Sequence, residues 1–291
     1  MKEILWGGLL LFLIGACSRP VAQFSMHNPA PARTAPADVQ FVNTSQNADR
    51  YEWDFGDGAT STEANPVHHY VESGDYTVTM RAFKGDRVRT ARQQVTILPP
   101  EDCLVEIQTP YGNMLVELSD QTPLHQDNFL KLAETGFYDS LLFHRVIKGF
   151  MIQGGDPYSR SQAGRVGTGG PGYTIPAEFN TDLLHFKGAV AAARTNNPQK
   201  RSSGSQFYIV QGKPVTDAML DRIEQMRGFS YSPAQRKRYK EMGGTPQLDM
   251  EYTVFGYVVK GLDVIDRIAG VRTNRYDRPV EDVWMVVKVV R

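Results

Sequence analysis

Excess charge of either sign is missing from this 291-residue chain: 32 Lys and Arg face 32 Asp and Glu, so the formal net charge is zero. Without a basic surplus a chain releases few counterions from a phosphate backbone, which argues against a dedicated nucleic-acid binder. The balance fits a neutral substrate instead. Cysteine is nearly absent: Cys17 and Cys103 are the two in the sequence. That excludes a disulfide scaffold and a cysteine-rich zinc site. The N-terminal apolar run, Ile4 to Ala16, is 13 residues, short of the roughly 20 that a membrane span needs. There is no Walker A string and no HExxH. A G-x-G-x-x-G pattern does occur from Gly167 to Gly172. It fails its own context test, because Pro-rich, strand-like sequence follows it where a dinucleotide site needs a helix. What is present is an ordinary globular composition, 41% hydrophobic and 22% charged, in a length that suits two domains.

Lys2 ahead of the apolar run reads as a signal-peptide core. The next residues, Ile14-Gly15-Ala16-Cys17-Ser18, resemble the lipobox of bacterial lipoproteins. The resemblance implies removal of residues 1–16 and a diacylglycerol on the Cys17 thiol. Two or three acyl chains, each methylene adding about 0.8 kcal/mol, anchor a protein stably to a membrane. An ordinary signal cleaved after Ala16 is the alternative. Export follows from either, and the lipobox adds a bacterial membrane anchor with the protein facing the periplasm. Cys103 is then a lone thiol with no intramolecular partner.

Residues 20–98 alternate apolar and polar positions, broken by Pro, Gly, Asn and Asp about every ten residues, as short antiparallel strands in a sandwich do. Val39–Val42, Tyr51–Trp53, Tyr76–Met80 and Val95–Ile97 are the clearest runs. Asp57-Gly58 supplies a tight turn, and Trp53 and Phe55 point to a shared core. His68 and His69 are adjacent on a strand and so face opposite sides, which makes joint metal ligation unfavourable. The strings YEWDFGDG and HHYVESGDYTVT resemble the PKD domain, an immunoglobulin-like sandwich, which implies a spacer or adhesion surface. Pro99-Pro100 opens a stiff linker, 99–102.

Residues 103–291 carry the chemistry. Leu104–Ile107 and Met114–Leu118 flank a hairpin turn at Pro110–Asn113. Thr122-Pro123 opens a helix that Gly136 ends, with Leu124, Asn128, Phe129, Leu132 and Ala133 at helical spacing. Further strands are expected at Phe143–Ile147, Met151–Gly154, Ala189–Ala193, Gln206–Gln211, Thr253–Val259 and Trp284–Val290, with a second helix over Leu262–Ile268. Many strands and two helices predict a mainly β fold, a closed barrel. The strings FHRVIKGFMIQGG, AAARTNNP, GSQFYI and YTVFGYVVKGLDVIDRIA resemble the cyclophilins, peptidyl-prolyl cis-trans isomerases. The resemblance implies an eight-stranded closed barrel capped by two helices, with the active groove on its outside and no cofactor or metal.

By that resemblance Arg145 and Gln153 are the catalytic pair. Phe150, Met151, Tyr208 (where the family usually has Phe), Leu248 and Tyr252 (where it most often has His) bind the proline. Ala193 and Gln206 line an adjoining groove, with Gly167 in its glycine-rich rim. Gln247 stands where many eukaryotic members have a Trp that contacts cyclosporin, which implies weak binding of that drug. An insertion, 216–244, separates two of the strings. Asp217, Met219, Leu220, Ile223 and Met226 predict one amphipathic helix, and Ser232-Pro233 opens a second. Arg236, Lys237, Arg238 and Lys240 form its basic face, either solvated or turned to substrate or lipid headgroups. The expected partners are proline-containing polypeptide clients and, through Cys17, a membrane. A monomer is expected because a closed barrel has no free edge. The alternative to an isomerase is a proline-peptide-binding chaperone or adhesion module with little turnover.

Overall fold

The computed structural model describes residues 19–27, 33–161 and 166–291. The expected signal peptide and the lipidation position Cys17 lie outside the described residues. Two compact units divide at Leu98–Pro99.

The first unit contains β1 (Phe24–Met26), β2 (Ala37–Asn43), β3 (Arg50–Asp54), β4 (Thr60–Ser61), β5 (Val67–Tyr70), β6 (Gly74–Lys84) and β7 (Arg87–Ile97). They form two antiparallel sheets, ordered β1-β2-β5 and β4-β3-β6-β7. The period-2 pattern decides the faces: Val39 and Phe41 from one sheet and Trp53, Val78 and Met80 from the other are buried. The Trp53 ring meets Phe24 edge-on at 5.0 Å and Phe41 at 5.6 Å, so aromatic contacts join the two sheets. In the turn, Asp54 and Asp57 carboxylates accept from the Gly56 and Ala59 amides, each at 3.0 Å. His68 bonds Asp57 and His69 bonds Asp38, on opposite sides of the strand.

The second unit contains β8 (Leu104–Thr109), β9 (Gly112–Leu118), α1 (Pro123–Glu134), β10 (Leu141–Leu142), β11 (Arg145–Ile147), β12 (Met151–Gly154), β13 (Thr174–Ile175), β14 (Ala189–Ala192), β15 (Ser202–Ser203), β16 (Phe207–Val210), α2 (Asp217–Arg227), α3 (Pro233–Met242), β17 (Val254–Lys260), α4 (Leu262–Ala269) and β18 (Trp284–Val290). Nine of the strands make one antiparallel sheet, ordered β10-β18-β8-β9-β17-β14-β16-β12-β11. This corrects the expected closed eight-stranded barrel: the sheet is a curled half-barrel whose end strands do not pair with each other. β10 and β11 are two and three residues long and are joined through Phe143 and His144 alone. The curl therefore ends at a covalent joint in the chain, where a ladder would need more backbone donors and acceptors than such short strands offer. The expected single strand Phe143–Ile147 is broken by the same joint.

One face of the sheet carries the main core. Val105, Ile107, Val116, Val190, Ile209 and Val287 are fully buried there. α1 adds Phe129, Leu132 and Ala133, and α4 adds Val264, Ile265, Ile268 and Ala269. Leu124, expected on the inner side of α1, is exposed, and His125 is buried in its place. Thr122 flanks α1 without capping it by its side chain. The Glu178 carboxylate does so instead, accepting from the Leu124 and His125 amides at 3.1 and 3.0 Å and meeting His125 Nδ1 at 2.6 Å. A negative charge at a helix N-terminus suits the positive end of its dipole.

Candidate active site

Register places the key residues before any side chain is considered. Arg145 pairs with Gln153, Gln153 with Tyr208, and Tyr208 with Ala191. Four strands thus carry one row across the outer face of the sheet. Their chain neighbours Val146, Ile152, Ile209 and Val190 point to the inner core, as alternation requires. Met151, two residues before Gln153, shares the outer face and is buried against Ala189, Ala191, Tyr208, Val210 and Val254. The sheet is therefore apolar on both sides, and the outer side is incompletely covered.

The uncovered part is a cleft of about 780 Å³. Nine of the ten residues expected to act on or bind substrate line it: Arg145, Gln153, Phe150, Met151, Gly167, Ala193, Tyr208, Leu248 and Tyr252. The tenth, Gln206, lines an adjoining groove of about 520 Å³ that shares Gln153, Gly167 and Ala193 with the cleft. Gln206 accepts from Gln153 Nε2 at 3.1 Å and donates to the Gly167 and Gly169 carbonyls at 3.1 and 2.8 Å. Asp156, fully buried, holds the same glycine loop by accepting from the Gly167 and Gly169 amides. Gly155 makes the turn into that loop at φ +82°, and a Cβ there would lie 2.2 Å from the Ser205 carbonyl oxygen. No side chain fits.

Arg145 is almost half exposed, with Asp277 Oδ2 3.8 Å from its Nε. Tyr208 stands edge-on to Tyr252 at 5.9 Å, and the Arg194 guanidinium lies 4.7 Å from the Tyr252 ring centre. His144, Arg194, Asn274, Tyr276 and Arg278 also line the cleft and were not anticipated. Arg194 stands inside the AAARTNNP string and was legible there. Residues 274–278 belong to a loop without periodicity or motif, and nothing local marks it.

Behind the pocket lies a buried polar chain. The Tyr208 hydroxyl meets His185 Nε2 at 2.9 Å, and His185 Nδ1 meets Asp249 Oδ1 at 2.8 Å. Asp249 Oδ2 accepts from the Tyr231 and Tyr239 hydroxyls at 2.7 and 2.6 Å. A carboxylate only accepts, so Nδ1 donates to Asp249, and Nε2 is left to pair with the Tyr208 hydroxyl. Burial first, then the nearby Tyr252 and Asp249, keep the Tyr208 phenol well above its ordinary range. It stays protonated.

Tyr239 belongs to the inserted helices and Tyr231 to the turn between them, so the insertion reaches the pocket through Asp249. α2 and α3 bury Leu220, Ile223 and Tyr239 against Leu184 and Phe186. Ser232 and Gln235 form a reciprocal cap that starts α3. Met219 and Met226, expected on the buried side of α2, are exposed. The basic face of α3 is divided: Arg236 bonds Asp217, Asp221 and Glu224, and Lys240 bonds Asp217, while Lys237 stays in solvent with Glu241 3.8 Å away. Arg238 covers Phe186 and Tyr257 at 4.4 and 5.0 Å. Arg236 and Arg238 are thereby committed to partners within the protein.

Burial lowers the pKa of His144 below its ordinary 6.5; Asp156 and the Leu142 backbone oppose this, while Arg278 and Arg145 add to it. His125 is also lowered, by burial that outweighs Glu178. Both imidazoles are thus neutral when folded and take up protons more readily when unfolded. The sign follows: stability is unaffected above about pH 6.5 and falls as pH drops below it. Urea midpoints measured from pH 8 to pH 5 should decline across that boundary, and His144→Gln should flatten the decline. A flat wild-type profile would contradict this.

Comparison with known proteins agrees with the geometry. Residues 104–290 match the family model described as cyclophilin type peptidyl-prolyl cis-trans isomerase/CLD, and residues 17–98 match the PKD domain. A Streptococcus pyogenes protein, named as a putative bifunctional phosphatase/peptidyl-prolyl cis-trans isomerase, is 42% identical over 182 residues. That match covers 62% of this chain and 37% of the relative's own length. A Staphylococcus haemolyticus protein, named as a putative peptidyl-prolyl cis-trans isomerase, is 36% identical over 180 residues, covering 62% of this chain and 86% of its own. A crystal structure of a Cryptosporidium parvum cyclophilin type peptidyl-prolyl cis-trans isomerase superposes with a TM-score of 0.50 at 25% identity, covering 65% of this chain and 97% of that one. With its arginine, glutamine and apolar pocket set in one row on a curled sheet, the chain belongs to the cyclophilin-type peptidyl-prolyl cis-trans isomerases, with a PKD domain preceding the isomerase domain.

Proposed function

We propose that the cleft isomerises Xaa-Pro bonds in polypeptides of the bacterial cell envelope, with Arg145 acting on the reacting amide. Rotation about such a bond crosses about 18–20 kcal/mol because it destroys amide resonance. As resonance is lost, the nitrogen lone pair localises and the carbonyl dipole shrinks. A donor aimed at that nitrogen and a dry pocket for the ring favour the twisted state over both planar ones. Lowering the barrier by about 6 kcal/mol raises the rate more than 10⁴-fold. Arg145 is permanently charged and rich in donors. Gln153 holds the substrate backbone beside it. Phe150, Met151, Tyr208, Leu248 and Tyr252 enclose the proline, and Gly167, Ala193 and Gln206 receive the chain next to it.

The observation that carries this reading is the cross-strand pairing of Arg145 with Gln153, which sets a guanidinium at the rim of an apolar pocket. A proline-isomerisation assay on the mature chain tests it; no acceleration over the uncatalysed rate would refute it.

The lipobox supports attachment at Cys17 to the membrane, facing the periplasm, with a monomeric protein reaching its clients from there. Cells expressing the wild type should incorporate labelled palmitate into the protein and retain it in the membrane fraction. Cys17→Ser should do neither. Equal labelling of the two would rule out this anchor.

A further inference from the structure

Resting on the assignment of the cleft as the isomerase site, we infer that this enzyme selects clients carrying acidic residues beside the proline. A net charge of zero over the whole chain suggested a neutral substrate, but charge is not spread evenly. Among the described residues, the cleft and its adjoining groove are lined by Arg145, Arg194, Arg201 and Arg278 and by no carboxylate.

The local compensation is incomplete. Arg201 uses Nε and Nη2 on the Thr174 hydroxyl and carbonyl, both at 2.7 Å, and has no carboxylate partner among the described residues. Arg278 likewise has none there, and its buried Nη2 lacks any hydrogen-bond partner. Arg194 does reach Glu251, at 3.2 Å, but Glu251 is shared with Lys200 and Arg227. Burial pushes the Glu251 carboxyl up; the three cations outweigh it and hold it below its usual range. One carboxylate therefore faces three cations, which leaves that rim positive. Asp277 offsets Arg145 only at 3.8 Å and with both side chains almost half in solvent. Asp156 spends its charge on buried backbone amides.

A peptide threaded through the cleft and groove thus passes Arg278 in the cleft, Arg194 where the two meet and Arg201 in the groove. A concave, partly apolar wall focuses such a field and raises the local concentration of anions. Guanidinium groups whose charge meets no carboxylate of their own among the described residues, as at Arg201 and Arg278, are suited to binding carboxylates of a ligand. Asp or Glu within two or three residues of the proline is the chemistry that completes them.

The test is a series of peptides with one Xaa-Pro core, flanked on either side by Glu, Ala or Lys, assayed with the full chain carrying Cys17→Ser. The Glu peptides should exceed the Lys peptides about tenfold in kcat/KM at low ionic strength, and the ratio should shrink toward one near 0.5 M salt, where screening is strong. Arg201→Glu should invert the preference at the flank that meets the groove. Equal acceleration of all the peptides would overturn the charge preference while leaving the isomerase assignment intact. Acceleration of none would overturn both.

Discussion

Arg145→Ala lowers kcat/KM for proline isomerisation by about 10²- to 10³-fold, the loss expected when one preorganised donor to a transition state is removed. The corresponding change in barrier is about 3–4 kcal/mol. The side chain is almost half exposed and packs into no core, so its removal leaves the fold standing. The residual activity comes from the apolar pocket, which still shields the ring and favours the twisted amide. Arg145→Lys should recover only part of the loss, because an ammonium keeps the charge but not the planar fork of donors. The check is a coupled isomerisation assay, with near-ultraviolet circular dichroism to verify the fold. A rate within threefold of wild type for Arg145→Ala would remove this residue from the reaction.

The largest effect on stability should come from Asp249→Ala. The residue is fully buried and terminates hydrogen bonds from the His185 ring and amide and from the Tyr231 and Tyr239 hydroxyls. Deleting one member of a buried charged or strongly polar set costs about 3–5 kcal/mol, since its partners are left in a dry interior without acceptors. For a unit of this size that corresponds to a melting point lower by about 10 °C. Asp249→Asn keeps the volume but offers one acceptor oxygen fewer, so it should fall between. The affinity for substrate should weaken as well, because Leu248 precedes Asp249, Tyr252 follows it three residues on, and both wall the pocket. Thermal unfolding followed by tyrosine absorbance measures the first effect and KM the second. A loss below about 1 kcal/mol would mean that the polar chain contributes little.

Local sequence carried much of this site. β12 and β18 begin and end where the apolar runs place them: β18 alternates, with one buried face, and β12 is a short run buried on both sides and ended by glycine. The FHR and GFMIQGG strings lie on adjacent strands, so Arg145 and Gln153 were readable together. What escaped has one cause: pairing at a distance. His185 and Asp249 are separated by 64 residues and meet through an insertion that no local pattern ties to the pocket. Glu178 lies 53 residues from the helix it caps. Nor does periodicity reveal the loop bearing Tyr276 and Arg278, which reaches the cleft through tertiary structure alone. Closure of the barrel was misjudged because strand count says nothing about which ends meet.

The two-residue joint between β10 and β11 also sets an order of events. β10 pairs with β18, more than 140 positions further along the chain, as Leu141 with Met285. Until β18 has been synthesised, the segment at Phe143–His144 has only one of its two flanks fixed. β11 has a local partner in β12, which pairs Arg145 with Gln153, but the β10 side of the joint waits for β18. Long-range strand pairing is slow because the loop must close before any contact rewards it. The sheet edge that carries Arg145 is thus tied into the rest of the sheet from two directions, one local through β12 and one through the last strand of the chain.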